Sequence, residues 1–160
     1  MKPIVIGLIT SLLFTAFAGA GEQPSSKLTV TTPNSRAVSF TNSKDLTVKF
    51  WLQQLALSAL YRDVIAEASA EEWAQAEKSP SKIHCVYPPQ SHIAIPERQL
   101  LTFEEIVVPF TEEGYPAYIF LKHGGQYLRL AKYDPWILWK LKVEAGLADE
   151  MPGSVPRTLF

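Results

Sequence analysis

The stretch KIHCVYPPQSH, residues 82–92, contains the chain's only cysteine and two of its three histidines. A thiol and an imidazole can form a nucleophile pair, in which the ring takes the proton of the thiol. His84 is badly placed for that role beside Cys85, because neighbouring side chains of a strand point to opposite faces. If residues 88–91 form the loop of a hairpin, Cys85 and His92 become diagonal neighbours on one face, about 7–8 Å apart at the backbone. No cysteine-hydrolase motif supports this pair, so we expect Cys85 to be a small apolar side chain on a buried strand.

Other patterns that could carry chemistry are weak. Cys85, His92 and the third histidine, His123, lack the short paired spacing of zinc ligands. Gly124-Gly125 lacks the spacing and the following helix of a phosphate-binding loop. The sequence therefore predicts no cofactor and no metal site, and the catalytic alternative is limited to Cys85 acting with His92 or His123.

The segment AYIFLKHGGQYLRLAKY, residues 117–133, predicts a β-hairpin. Two alternating runs flank Gly124-Gly125, and glycine accepts the positive φ of a tight two-residue turn. The two-residue period then sorts the side chains into two faces. One face is predicted to belong to the core and contains Ile119, Leu121, Leu128 and Leu130. The other, which we call the aromatic–basic face, contains Tyr118, Phe120, Lys122, Tyr127 and Arg129.

The aromatic–basic face is the predicted binding site, because such a face can stack on a ligand. Trp73 is added to it as an aromatic anchor, with a place in the core as the alternative. Trp136, Trp139 and Val143 form a helical stripe directly after the hairpin. The other interpretation of the aromatic–basic face is therefore that this C-terminal helix covers it.

Helices are predicted from period and capping residues. A helix starts near Ser43, capped by Ser43 or Asn42. Its predicted core stripe contains Leu46, Phe50, Leu57, Tyr61, Val64 and Ala68, and Leu60 widens it. Ser69 and Glu72 offer a capping box for a second helix reaching Lys78, and the alternative is one long helix over 44–78. A C-terminal helix is bounded by Asp134, Pro135 and Gly146.

Besides the hairpin, alternating or β-branched runs predict strands at residues 27–32, 37–40, 83–87, 92–95 and 102–110. The order of elements indicates an α+β fold, a small antiparallel sheet with a central helical segment and a C-terminal helix packed on one face. With a single cysteine the chain cannot form an internal disulfide, so this fold depends on its core.

The first twenty residues have the pattern of a secretory signal. Lys2 gives a positive start, residues 4–17 are almost unbroken apolar, and Ala18-Gly19-Ala20 supplies a small-x-small cleavage site. The apolar run is short of the roughly 20 residues of a membrane span. We expect cleavage near Ala20/Gly21, no transmembrane span afterwards, and a periplasmic or secreted protein. The predicted divisions are a signal peptide over 1–20, a flexible lead-in over 21–26, a single domain over 27–148 and an extended tail over 149–160.

The charge balance argues against nucleic acid as a partner. Fifteen basic and 16 acidic residues give a formal charge of −1, and loss of the signal would remove Lys2 alone. Residues 63–77 are acidic and residues 122–142 basic, and we expect the two regions to face each other. Three carboxylate pairs are predicted to be solvated charge: Glu71-Glu72, Glu104-Glu105 and Glu112-Glu113.

Together these features predict a small exported protein that binds rather than catalyses. Its partner would be another envelope or secreted protein, contacted by the hairpin. One alternative is a thiol-dependent enzyme using Cys85 with a histidine. Another is a glycan-binding module using Tyr118, Phe120 and Tyr127.

Overall fold

The computed structural model of the chain describes residues 26–32, 34, 36–62, 65–88, 92–93 and 101–148. The predicted signal peptide, almost all of the lead-in and the predicted tail lie outside these residues. In the described part of the chain, no helix combines the length and the apolar character needed to cross a membrane.

The centre of the fold is a seven-stranded antiparallel sheet with the strand order β2-β1-β4-β7-β8-β9-β3. Its strands are β1 (Lys27–Thr31), β2 (Ala37–Val38), β3 (Ile65–Glu67), β4 (Lys82–Val86), β7 (Glu105–Pro109), β8 (Ile119–His123) and β9 (Gln126–Leu130). A separate two-stranded sheet pairs β5 (His92–Ile93) with β6 (Leu101–Thr102). The predicted α+β class is confirmed.

Three helices flank the sheet: α1 (Asn42–Tyr61), α2 (Ala70–Glu77) and α3 (Pro135–Glu144). The local signals set two of them. Ser69 forms the predicted capping box, with its hydroxyl accepting from the Glu72 N–H and the Glu72 carboxylate accepting from the Ser69 N–H. Asp134 caps α3 through the N–H groups of Trp136 and Ile137, and Pro135 stands in its first turn.

Two predictions about the first helix are wrong. Its N-cap is Thr41 rather than Ser43 or Asn42, and no side-chain hydrogen bond completes that cap. The alternative of one helix over 44–78 fails because residues 65–67 form β3, which pairs with β9 at the edge of the sheet. Three residues are too few to show a strand period in the sequence.

The predicted core stripe of α1 is only partly correct. Leu60 is buried and Leu57 packs against the main core, but α1 turns a different side to the sheet. Leu46, Phe50 and Tyr61 are 66%, 51% and 50% exposed, and Val64 lies outside the described residues. The buried side contains Val48, Leu52, Leu55, Ala56, Ala59 and Leu60. This helix is apolar around most of its circumference, so the period alone could not select the side that packs.

The main core lies between the sheet and the helices α1 and α3. Side chains of β4, β7, β8 and β9 contribute to it with the two helices, including Ile83, Ile106, Leu121 and Leu130. The predicted core side of the hairpin is confirmed, since all four of its residues are buried.

The opposite face of the sheet is covered by α2, so the helices do not all pack on one face as expected. Trp73 and Ala76 of α2 pack with Val107 of β7 and Phe120 of β8 in a second buried cluster. Because strand side chains alternate, Val107 lies between Ile106 and Val108 in sequence but on the other side of the sheet. The central strands are therefore buried on both faces.

The two N-caps give a matched test of the capping box. Ser69→Ala removes a hydroxyl that accepts from the Glu72 N–H at 3.1 Å, and we expect it to lower the free energy of unfolding by about 1 kcal/mol. Thr41→Ala removes a cap residue without such a bond, and should change stability by less than about 0.5 kcal/mol. Denaturant unfolding of both variants measures the difference, and equal losses would contradict it.

Candidate functional site

Cys85 is a core residue of β4. Its side chain is fully buried between β1 and β7, which pair with β4 on either side. Burial raises the pKa of the thiol to about 11. A nucleophilic cysteine requires an accessible thiolate, and the surroundings of Cys85 favour neither access nor ionisation.

The strand pairing that would bring His92 to Cys85 is not formed. The predicted hairpin joined β4 to β5, but β4 pairs with β1 and β7, and His92 is registered with Thr102 of β6. The remaining predicted strand residues, 94–95, lie outside the described part. Cys85 is registered with Ile106 of β7, and Ile106 with Leu121 of β8. His123 lies two residues further along β8, at the turn, and is therefore not level with Cys85. The geometry does not support a thiol–imidazole pair.

The hairpin of β8 and β9 forms in the predicted register, with His123 opposite Gln126 and Phe120 opposite Arg129. Gly124 and Gly125 occupy the turn with φ of 54° and 78°. These values lie in the left-handed region that favours glycine, so the local sequence was sufficient to set this element.

The aromatic–basic face is mostly covered, and α2 covers it rather than α3. Phe120 is 6% and Trp73 is 5% exposed. The Tyr127 ring stacks on Trp73 with 5.0 Å between ring centroids. Trp73 is therefore core, which was the alternative considered for it, and the predicted coverage of this face occurs through a different helix. Tyr118 is the most exposed residue of the face, at 37%.

Ion pairs connect α2 to the β8–β9 hairpin, and the end of α1 to the start of α3. Arg129 pairs with Glu72 of α2 and stacks over the Tyr118 ring, 5.3 Å from its centroid. Arg62 pairs with Asp134 at 3.0 Å. The pKa of Glu72 is lowered, first by the hydrogen bond from the Ser69 backbone and then by Arg129. The expected facing of acidic and basic regions is confirmed for Arg129 and Glu72.

A polar cluster on the α2 side of the sheet was missed in the sequence. Glu105 was expected to be solvated, but its side chain is only 17% exposed. Its carboxylate accepts from Lys122 at 3.0 Å and lies 2.9 Å from Nε2 of His84. Burial opposes ionisation of Glu105, but the hydrogen bonds and charges of Lys122 and His84 outweigh it and lower the pKa. Only the pairing of β4 with β7 brings His84 to Glu105, and no local pattern announces that pairing.

A cavity of about 460 Å³ lies beside α3 and is lined in part by Phe110, Gly114 and Lys142. The Lys142 ammonium donates to the Gly114 carbonyl at 2.9 Å and lies over the rings of Phe110 and Tyr115. Burial lowers the pKa of Lys142. Through these contacts the Lys142 ammonium holds the loop between β7 and β8 against α3.

An exposed aromatic surface lies where α1 and α3 meet, and we call it the α1–α3 patch. It consists of Leu46, Phe50 and Trp51 of α1 with Trp136 of α3. Trp51 makes edge-to-face contacts with Phe50 at 5.3 Å and with Trp136 at 5.6 Å. Leu46 stands one helical turn before Phe50, and Trp136 is 49% exposed. Two residues that the sequence predicted for the core, Leu46 and Phe50, therefore lie on this surface.

Charged groups border the α1–α3 patch. Lys44 of α1 and Glu144 of α3 pair at 2.7 Å. Lys140 lies over the rings of Trp139 and Trp136, 4.8 and 5.6 Å from their centroids. Among the described residues, no carboxylate forms an ion pair with Lys140. The patch thus combines exposed aromatic rings with an ammonium that none of the described carboxylates pairs with.

Comparison with known proteins gives no match: no family model fits the chain, and no curated protein or solved structure is significantly similar to it. The function therefore has to be argued from the residues themselves.

Truncation of two tryptophans should have different costs, because Trp73 is buried under α2 and Trp136 is exposed in the α1–α3 patch. Trp73→Ala opens a cavity under α2 and should lower the free energy of unfolding by about 3–5 kcal/mol. Trp136→Ala removes an exposed ring with one edge-to-face contact, and should cost about 1 kcal/mol or less. Denaturant unfolding distinguishes them, and a loss at Trp136 as large as that at Trp73 would contradict this assignment.

The burial of Cys85 predicts a silent thiol. A pKa of about 11 leaves about one thiol in a thousand ionised at about pH 8, and the core excludes the reagent. We expect a small disulfide reagent to react far more slowly with the native chain than with the unfolded chain, with Cys85→Ser as the blank. A native rate as fast as the unfolded rate would overturn this and restore the catalytic alternative.

Proposed function

We propose that this chain is a non-catalytic binding protein of the cell envelope or the secreted fraction, and that it contacts a partner protein through the α1–α3 patch. The observation that carries the proposal is the pair of exposed rings Phe50 and Trp136, which the half-buried Trp51 connects from one helix to the next. Export is supported by the signal-like pattern of residues 1–20.

Exposed aromatic rings at a helix junction suit a contact surface for physical reasons. A tryptophan or phenylalanine side chain brings a large apolar area with few rotatable bonds, so its ordering on binding costs little entropy. Tryptophan is among the residues that dominate measured binding energies. A contiguous exposed apolar surface rimmed by charge is also characteristic of interaction sites. The aromatic–basic face does not compete, because Phe120 and Trp73 are buried.

The rim of the patch indicates the chemistry of the partner. Lys140 stacks on two tryptophans and has no ion pair in the described part of the chain. A carboxylate on the partner would form an ion pair with its ammonium. Lys44 is already paired with Glu144. One uncompensated ammonium on a slightly acidic chain favours a protein over an anionic membrane. The proposed partner surface therefore presents apolar side chains beside an aspartate or a glutamate.

Site-specific photo-crosslinking tests the proposal in the cells that produce the chain. A benzophenone amino acid replaces Phe50 or Trp136 in the full-length protein, and the control places it at Tyr118, an exposed aromatic residue on the other side of the sheet. We expect the two patch positions to give the same adduct and the control position not to give it.

The captured protein is then purified and its affinity for variants of the chain is measured. Phe50→Ala and Lys140→Glu should each weaken binding at least tenfold, since they remove an anchor and reverse the rim charge. Tyr118→Ala should change the affinity less than about twofold. Unchanged affinity in the patch variants, or an adduct confined to Tyr118, would contradict the proposal.

A further inference from the structure

Three side chains with metal-ligand chemistry meet on the α2 side of the sheet, across the core from the α1–α3 patch. His84 of β4 is registered with Val107 of β7, so Glu105, two residues earlier, is its diagonal neighbour on the same face. Glu77 ends α2, which packs on β7. The geometry points to a binding site for a divalent transition-metal cation such as Zn²⁺, with Glu77, His84 and Glu105 as its protein ligands.

The donor atoms are close enough to converge on one ion. One atom from each of the three residues lies within 4.8 Å of the others. Zinc binds imidazole nitrogen and carboxylate oxygen at about 2.0–2.2 Å, so tetrahedral donors stand about 3.3–3.6 Å apart. Rotations of the two glutamate side chains can supply the difference, about 1.5 Å at most. A set of one nitrogen and two oxygens suits Zn²⁺ and its neighbours, whereas Mg²⁺ and Ca²⁺ prefer oxygen alone.

Glu105 is held so that one oxygen faces the proposed site. Its Oε1 accepts from Lys122 Nζ at 3.0 Å, and its Oε2 lies 2.9 Å from Nε2 of His84. A cation would replace the second contact and leave the first in place. Lys122 then acts as an outer-shell residue that fixes the orientation of the ligand.

Glu77 is the residue that ordinary ion pairing leaves unexplained. It is half-buried, and in the described part of the chain no lysine or arginine forms an ion pair with its carboxylate. Lys82 instead donates to its backbone carbonyl. A half-buried carboxylate gains from a cationic partner, and His84 and Glu105 each place a ligand atom within 4.8 Å of a Glu77 carboxylate oxygen.

The charged groups of the site, counted together with those that contact its residues, leave a negative excess. Three carboxylates contribute to it, those of Glu77, Glu105 and Glu104, the last 3.6 Å from Lys122. Two ammonium groups oppose them, Lys122 and Lys82. With His84 neutral, the form that binds metal, one negative charge remains to favour a cation. Three protein ligands also leave a fourth tetrahedral position for water.

The sequence predicted no metal site, because it offers no ligands at short paired spacing. Residues 77, 84 and 105 come together only through the docking of α2 and the pairing of β4 with β7. The proposed site uses none of the residues that the sequence suggested for a metal, Cys85, His92 and His123. His84 was considered only as a partner of the Cys85 thiol.

Calorimetric titration of the metal-free full-length chain with Zn²⁺ tests the site. We expect one ion per chain, and at least a tenfold loss of affinity in His84→Gln and in Glu77→Gln. The matched control is His123→Gln, a histidine of the same sheet at the hairpin end of β8, which should stay within about twofold of the original affinity. With Co²⁺ as the probe, the absorption of a four-coordinate ion should appear in the original chain and vanish in His84→Gln.

The inference is overturned if the chain takes up no Zn²⁺, if His84→Gln and Glu77→Gln bind it as the original chain does, or if His123→Gln alone loses it. Circular dichroism and unfolding midpoints establish whether each variant is folded. If His84→Gln does not fold, Glu77→Gln, at the end of a helix, still tests the site. Trp136→Ala in the α1–α3 patch should bind Zn²⁺ normally, so a failed metal site leaves the proposed protein contact unaffected.

Discussion

β4 and β7 pair antiparallel over five residues, and the two-residue period of their side chains divides the molecule into two halves. Ile83, Cys85 and Ile106 point toward α1 and α3, whereas His84, Glu105 and Val107 point toward α2. A slip of one residue in either strand would turn its side chains to the other face, placing His84 of β4 or Glu105 of β7 in the main core. The apolar cover on both faces therefore fixes the register, and the register in turn brings His84 and Glu105 together on the α2 side.

Coverage on both faces also explains where apolar side chains remain exposed. α1 is apolar around most of its surface, but the sheet can bury only one side of it, the side with Val48, Leu52 and Leu55. α3 packs against α1 and leaves Trp136 beside Phe50 and Trp51. The α1–α3 patch is thus what remains when two apolar helices share one sheet face, and its exposed rings are the main support for the proposed contact with a partner.

The proposed contact surface and the proposed metal site lie on opposite sides of the sheet. The α1–α3 patch belongs to the helices over the main core, and the Glu77–His84–Glu105 cluster belongs to the α2 side. The two ligands that the central strands supply, His84 of β4 and Glu105 of β7, point toward α2 and away from the α1–α3 patch. A ligand at one site therefore has no direct electrostatic contact with the other, and the two proposals depend on separate residues.

Local chemistry in the sequence was sufficient for the elements that close within a few residues. Gly124-Gly125 set the turn and register of the β8–β9 hairpin, Ser69 with Glu72 began α2, and Asp134 with Pro135 began α3. Each of these depends on hydrogen bonds or φ values between neighbours in the chain, which residue types alone can specify. The tertiary structure decided which side of α1 is buried, which helix covers the hairpin, and which strand lies beside β4. Those outcomes depend on which of several apolar surfaces, distant in the sequence, packs on a given sheet face. Local patterns in a single sequence do not determine that choice.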